Sequence, residues 1–164
     1  MKKILLTFGF SFIGLSWGAI KIGTVDMEKA LQSVKKGKDA KARLEKKFKE
    51  KKSSIEKQEA SFEKAQEEFK KKSVVLSDKA KGEQAMQLQQ KYAEIMQAKQ
   101  KAQLEMQQDE IKETQPILKG LGDLIEGVAK EAKVDMVVES RAGLLYAADK
   151  VDLTDSLVKK YDSK

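Results

Sequence analysis

The chain has 164 residues, of which 36% are charged and only 6% are aromatic, so a thick hydrophobic core is excluded. It contains neither cysteine nor histidine, which excludes disulfides, thiolate nucleophiles, most zinc sites and the usual general base. The net charge of +7 favours an anionic partner, and an enzyme would have to work with carboxylates and lysines alone.

Residues 1–18 have the pattern of a secretory signal peptide. Two lysines precede the apolar run 4–15, and Ser16 and Gly18 are the small residues expected three and one positions before a cleavage site. We therefore expect export and a mature chain that begins at Ala19. A membrane anchor is the alternative, but about a dozen apolar residues are too few to span a bilayer.

The next segment, 19–36, is predicted to form one strand and one short helix of a small body. Residues 20–25 are rich in β-formers, and Asp26 can cap a helix whose apolar positions begin at Met27. Gly37 then loosens the helix where a long arm begins.

Residues 37–116 predict that arm, an antiparallel hairpin of two long helices with its tip near 74–82. The first helix carries large apolar side chains at intervals of seven, at Phe48, Ile55, Phe62, Phe69 and Leu76. The second alternates intervals of three and four, interrupted at Lys99, through Ala85, Leu88, Tyr92, Ile95, Ala102 and Met106. Both patterns are coiled-coil periods.

The two helices predict one register, because antiparallel partners share a constant sum of residue numbers. Phe69 with Leu88 and Phe62 with Ile95 both sum to 157. Ser77 or Asp78 can cap the returning helix. We interpret these residues as a structural hairpin seam, made of Phe48, Ile55, Phe62, Phe69, Leu88, Tyr92 and Ile95. One large apolar residue per heptad makes a thin seam and compliant arms.

Basic residues form two clusters, one between residues 35 and 52 and one around the turn. The alternative to an anionic partner is a solvated helix face with i,i+4 pairs, such as Glu45 to Lys49. The candidate contacts for an anionic partner are Lys46, Lys47, Lys49, Lys51, Lys52, Lys70, Lys71, Lys72, Lys79 and Lys81.

Residues 117–164 predict the rest of the body. Pro116 should kink the returning helix, and 117–128 form an apolar helix that must be buried. Residues 134–139 and 144–148 predict a β-hairpin, and Asp152 or Thr154 begins a last helix. A sheet this small leaves open edges, which favours oligomerisation. The expected fold class is α+β and mostly helical, with a long antiparallel coiled-coil hairpin inserted in a small β-rich body through which the chains associate.

The chain resembles the Skp/OmpH family of periplasmic chaperones for outer-membrane proteins. The resemblance rests on the signal peptide and on the segments IGTVDMEKAL, VVLSDKAKGEQ and VDMVVESRAGLLYAADKVDLTDSLVKKY. It implies a homotrimer, without ATP or another cofactor, whose three helical arms enclose a cavity. Unfolded β-barrel precursors would be held in this cavity in the periplasm and kept from aggregating.

A sparse apolar stripe is our candidate for contact with such clients. Met86, Leu104 and Ile111 fall within about 20° of one another on an ideal helix, nearly opposite the hairpin seam. Met suits adaptable surfaces. The full set of client-contact candidates is Val74, Val75, Met86, Met96, Leu104 and Ile111.

Other classes of protein account for fewer features of the sequence. A nucleic-acid-binding protein would account for the basic helices, but aromatic residues for base stacking are few and a signal peptide directs the chain away from nucleic acid. A basic structural coiled coil of the envelope would account for the arms but not for the body. Contact with an anionic membrane surface or lipopolysaccharide is compatible with the lysine clusters.

Overall fold

The computed structural model describes residues 20–142 and 145–164. The predicted signal peptide lies outside the described residues. The elements in chain order are β1 (Ile22–Val25), α1 (Met27–Ser33), α2 (Lys35–Lys72), α3 (Asp78–Ala132), β2 (Met136–Glu139), β3 (Lys150–Asp152) and α4 (Thr154–Asp162). This confirms the predicted fold class, which is mostly helical with two long helices and a small three-stranded sheet.

Helices α2 and α3 form the predicted antiparallel hairpin. Lys47 of α2 contacts Asp109 of α3 at 2.9 Å, and Glu59 of α2 contacts Lys99 of α3 at 2.5 Å. The residue numbers of these pairs sum to 156 and 158, within one of the predicted 157. At the turn, the side chain of Ser77 accepts a hydrogen bond from the backbone of Ala80, so Ser77 is the N-cap.

Helix α3 continues through Pro116, so the predicted apolar helix 117–128 is its last third rather than a separate element. Pro116 is exposed to solvent. The carbonyl that a proline leaves without a helical partner can be hydrated on an exposed face, which makes an internal proline tolerable.

The sheet has the strand order β2-β1-β3, and both outer strands are parallel to β1. The predicted β-hairpin of 134–139 with 144–148 is therefore wrong. Its second strand is displaced along the chain to β3, while Leu145 and Tyr146 lie outside the strands and are exposed. Each outer strand hydrogen-bonds to β1, and a tight hairpin would instead have paired them with each other.

A small core lies where β1, α1, α4 and the end of α3 meet. Its most enclosed side chains are Leu121 of α3 and Leu157 of α4, together with Val34 between α1 and α2. The buried Thr154 hydroxyl accepts a hydrogen bond of 3.0 Å from the backbone N–H of Asp26, which ties the start of α4 to the end of β1.

The root of the arm, where α2 leaves the body, is held at a sharp break. Val34 has an extended backbone with ψ of 148°, and α2 begins at Lys35 without a side-chain cap from Val34. The carboxylate of Asp162, at the end of α4, accepts a hydrogen bond of 3.0 Å from the Lys35 N–H. The last turn of the chain therefore caps the first turn of the arm.

Candidate functional surfaces on the helical arm

A row of ion pairs joins the two helices near the root of the arm. Arg43, Lys47 and Lys51 are four residues apart on α2 and share one side of that helix. Each meets a carboxylate of α3, in the pairs Arg43–Glu113, Lys47–Asp109 and Lys51–Glu105. Hydrogen bonds from these cations hold the pKa values of all three carboxyl groups below their ordinary range. We call these three pairs the ionic row.

The predicted basic residues divide into paired and unpaired groups. In addition to the ionic row, Lys52, Lys72 and Lys81 each lie within 3.8 Å of a carboxylate on their own helix. No ion pair is found, within the part of the chain that the structure describes, for Lys46, Lys49, Lys70, Lys71 and Lys79.

Unpaired positive charge therefore remains in both clusters, at Lys46 and Lys49 near the root and at Lys70, Lys71 and Lys79 near the tip. Lys70 and Lys71 lie in the last turn of α2, where cations also interact favourably with the helix dipole. Lys70 and Lys71 can therefore stabilise the end of α2 without an anionic partner.

The apolar stripe points away from α2. Met86 is 70% exposed and Ile111 57%, and Leu104 and Met96 are also exposed. Val74 and Val75 lie in the turn beyond α2 and are almost fully exposed. The structure thus leaves every client-contact candidate accessible, and it brings together only the two valines as direct neighbours.

The hairpin seam is closed unevenly. Ile95 is buried, Phe62 and Phe69 are half-buried, and the rings of Phe62 and Tyr92 lie 5.9 Å apart. Tyr92 is nevertheless 54% exposed, and Phe48, nearer the root, is 55% exposed. The seam therefore covers its apolar residues less completely than the seven-residue period alone indicates.

An open apolar groove of about 710 Å³ lies between the helices on the root side of that closed part. Leu44, Phe48 and Ile55 contribute from α2, and Ala102 and Met106 contribute from α3. Sequence reasoning placed Phe48, Ile55, Ala102 and Met106 in the seam, did not single out Leu44, and missed the groove. The available signals were Lys51 and Lys99, which interrupt the seam at this level, and the small side chain of Ala102.

A family model described as outer membrane protein (OmpH-like) matches residues 21–161. The chain belongs to this family. The fold of this OmpH-like chain is similar to the crystal structure of an OmpH-like protein from Caulobacter crescentus CB15, described as a candidate outer membrane chaperone, with a TM-score of 0.75. The sequences are 20% identical, and the match covers 89% of this chain and 86% of that one. No curated protein sequence gives a significant match.

In the described ranges of this OmpH-like chain, no helix is long and apolar enough to cross a membrane. The same ranges contain no group of three or more metal-ligating side chains placed to hold an ion.

Proposed function

We propose that this OmpH-like protein is an ATP-independent periplasmic holdase that binds unfolded outer-membrane β-barrel precursors and prevents their aggregation. The observation that carries the proposal is the exposure of apolar side chains along an arm whose own fold does not use them. Met86, Leu104 and Ile111 are all more than half exposed. A discontinuous apolar surface binds many sequences weakly and offers no pocket for one ligand.

The dimensions of the arm suit a large client. Helix α2 has 38 residues, which corresponds to about 57 Å at the usual helical rise. Many weak contacts spread over this length provide avidity without a fixed binding geometry. No catalytic step is part of the proposal.

Assembly into a homotrimer would place three such arms around a shared cavity. The two outer strands are open edges, and Met136 of β2 and Val151 of β3 are almost half exposed. Leu145 and Tyr146, between these strands, are more exposed still. Unpaired strand edges beside apolar side chains favour association of the bodies.

The decisive experiment is aggregation of a urea-unfolded outer-membrane β-barrel protein upon dilution, followed by light scattering with and without the mature chain. Stoichiometric suppression of scattering is expected, with no requirement for ATP. Size-exclusion chromatography with light-scattering detection should then recover one trimer with one client. Unchanged aggregation at a several-fold excess of trimer would refute the holdase.

A second candidate function, contact with an anionic membrane surface or lipopolysaccharide, is favoured by the unpaired Lys70, Lys71 and Lys79 beside the exposed Val74 and Val75. Co-sedimentation with phosphatidylglycerol vesicles should decrease as salt is raised, because exposed charges are screened. Equal binding to neutral phosphatidylcholine vesicles would argue against it. Nucleic acid is not an expected partner.

A further inference from the structure

The groove between the helices has well-defined ends. It extends from Leu44 to Glu59 along α2 and from Glu110 back to Lys99 along α3. Fifteen helical steps of about 1.5 Å make it roughly 22 Å long. This length matches six or seven residues of an extended chain, which advances by about 3.3 Å per residue.

The groove is too narrow to enclose a whole helix. A volume of about 710 Å³ over roughly 22 Å corresponds to a mean cross-section of about 30 Å². A helix with its side chains is about 10–12 Å across and needs roughly three times that area. An occupant therefore lays one face of its side chains into the groove, and an extended strand presents such a face with every second residue.

The chemistry of the groove matches one face of a strand. Phe48, Ile55 and Met106 make it apolar, and the thioether of Met106 can adapt to side chains of different shapes. Charged groups at its border are largely neutralised in pairs, Lys51 by Glu105 and Lys99 by Glu59. The groove therefore selects against charge and offers no single position that requires a particular residue.

We infer that this groove binds a six- or seven-residue extended segment with alternating apolar and polar residues, the pattern of one transmembrane β-strand. The apolar side chains would enter the groove, and the intervening polar ones would remain in solvent. The inference rests on the proposed holdase function and assigns it a binding site within each hairpin, separate from the apolar stripe on the outer face of α3.

Filling the groove is the direct test. Ala102→Trp places a large side chain in the groove, and Ala60→Trp adds the same side chain on the exposed outer face of α2. We expect Ala102→Trp to weaken client binding by about tenfold or more, because large apolar client side chains are excluded. Ala60→Trp should bind as the unmodified mature chain does. Equal client binding by the two variants would overturn the inference.

A second measurement covers the case in which Ala102→Trp perturbs the hairpin. The mature chain contains no tryptophan, because the single one in the sequence is Trp17. Phe48→Trp therefore provides one indole reporter in the groove. Its emission should shift to the blue when a heptapeptide of alternating leucine and threonine is added. A peptide of the same composition, with its leucines at consecutive positions, should bind about tenfold more weakly. Equal responses to the two peptides would overturn the inference.

The results of these experiments also distinguish a failure of the groove proposal from a failure of the proposed holdase function. If the unmodified chain suppresses aggregation and Ala102→Trp suppresses it equally well, the holdase stands and the groove is rejected. If the unmodified chain does not suppress aggregation, the holdase and this inference are both rejected.

Discussion

At the scale of single residues, Gly37 permits α2 to approach α1 closely. A Cβ built at this position would lie 1.7 Å from the carbonyl oxygen of Leu31, which is backbone and cannot rotate away. Gly37→Ala should therefore lower the unfolding free energy by about 1–3 kcal/mol or more. The measurement is thermal unfolding followed by circular dichroism.

Gly82 provides the matched control for this prediction. It lies in α3, and a Cβ there would meet nothing within 4 Å. Gly82→Ala should raise the unfolding free energy by about 0.5–1 kcal/mol, since alanine is the better helix former. If both variants melted above the unmodified protein, the close approach at Gly37 would not matter for stability.

At the scale of elements, the closed part of the hairpin seam and the apolar stripe should respond differently to mutation. Phe62→Ala removes a half-buried ring that packs near Tyr92. It should cost less than the roughly 3–5 kcal/mol of a fully buried phenylalanine, but it should still lower the melting temperature of the arm. Client protection should decrease only as a consequence of that melting.

Replacing residues of the apolar stripe should leave the stability of the arm unchanged and weaken client protection directly. Met86→Ser together with Leu104→Ser changes two exposed side chains, so helicity and the mass of the proposed trimer should be almost unchanged. Protection of an aggregating β-barrel precursor should nevertheless weaken. A double variant that protects normally, beside a Phe62→Ala variant that melts normally but fails to protect, would reverse the two assignments.

The ionic row makes a further prediction about pH. Hydrogen bonds from Lys51 and Arg43 depress the pKa values of Glu105 and Glu113 below 4.5, and one from Lys47 depresses that of Asp109 below 3.8. Carboxylates with depressed pKa values stabilise the folded arm fully above those ordinary values. This contribution is lost as the pH falls through the lower values of the folded state. The melting temperature of the arm should therefore decrease on acidification.

A triple amide variant isolates this effect from the other carboxylates. Glu105→Gln, Asp109→Asn and Glu113→Gln should melt lower than the unmodified chain at about pH 7, and the difference should shrink at about pH 3. High salt should also shrink it at neutral pH, because the pairs are partly exposed. A difference that is constant across pH would show that the ionic row does not stabilise the hairpin.

Sequence reasoning succeeded where the signal is local. The hairpin and its register follow from seven-residue periods that lie within each helix. The sheet topology was missed because β3 has three exposed residues, Lys150, Val151 and Asp152, without the alternation that marks a strand. Leu145 and Tyr146 had the stronger β composition, yet they are exposed outside the sheet. The groove was missed because the local separation of two helices depends on three-dimensional packing around Lys51 and Lys99.

At the scale of the whole molecule, the burial of a residue predicts whether its substitution affects folding of the chain or assembly of several chains. Leu124 is buried within one chain, whereas Val151 is exposed on the edge strand β3. Leu124→Asp should unfold the body, because it buries an unpaired charge at a cost of several kcal/mol. Val151→Asp should leave the chain folded but dissociate the proposed trimer. Sedimentation analysis that finds the unmodified mature protein to be a folded monomer would refute the trimer.

Export is predicted from the first residues alone. The chain isolated from its native envelope should begin at Ala19, as determined by intact-mass measurement. A full-length cytoplasmic product would contradict both the signal peptide and the periplasmic location.

The central position of β1 determines the order in which the molecule can be completed. Ile22 pairs with Met136 on one side and with Lys150 on the other, so the first strand to be synthesised finds its partners more than a hundred residues later. The α2–α3 hairpin has nearer partners and a shorter loop to close, so it can form while the C-terminal segment is still being synthesised. Closure of the sheet at β3, followed by the packing of α4 and its Asp162 cap on the start of α2, therefore comes after the hairpin. A chain interrupted before residue 150 would carry a complete arm on an open body.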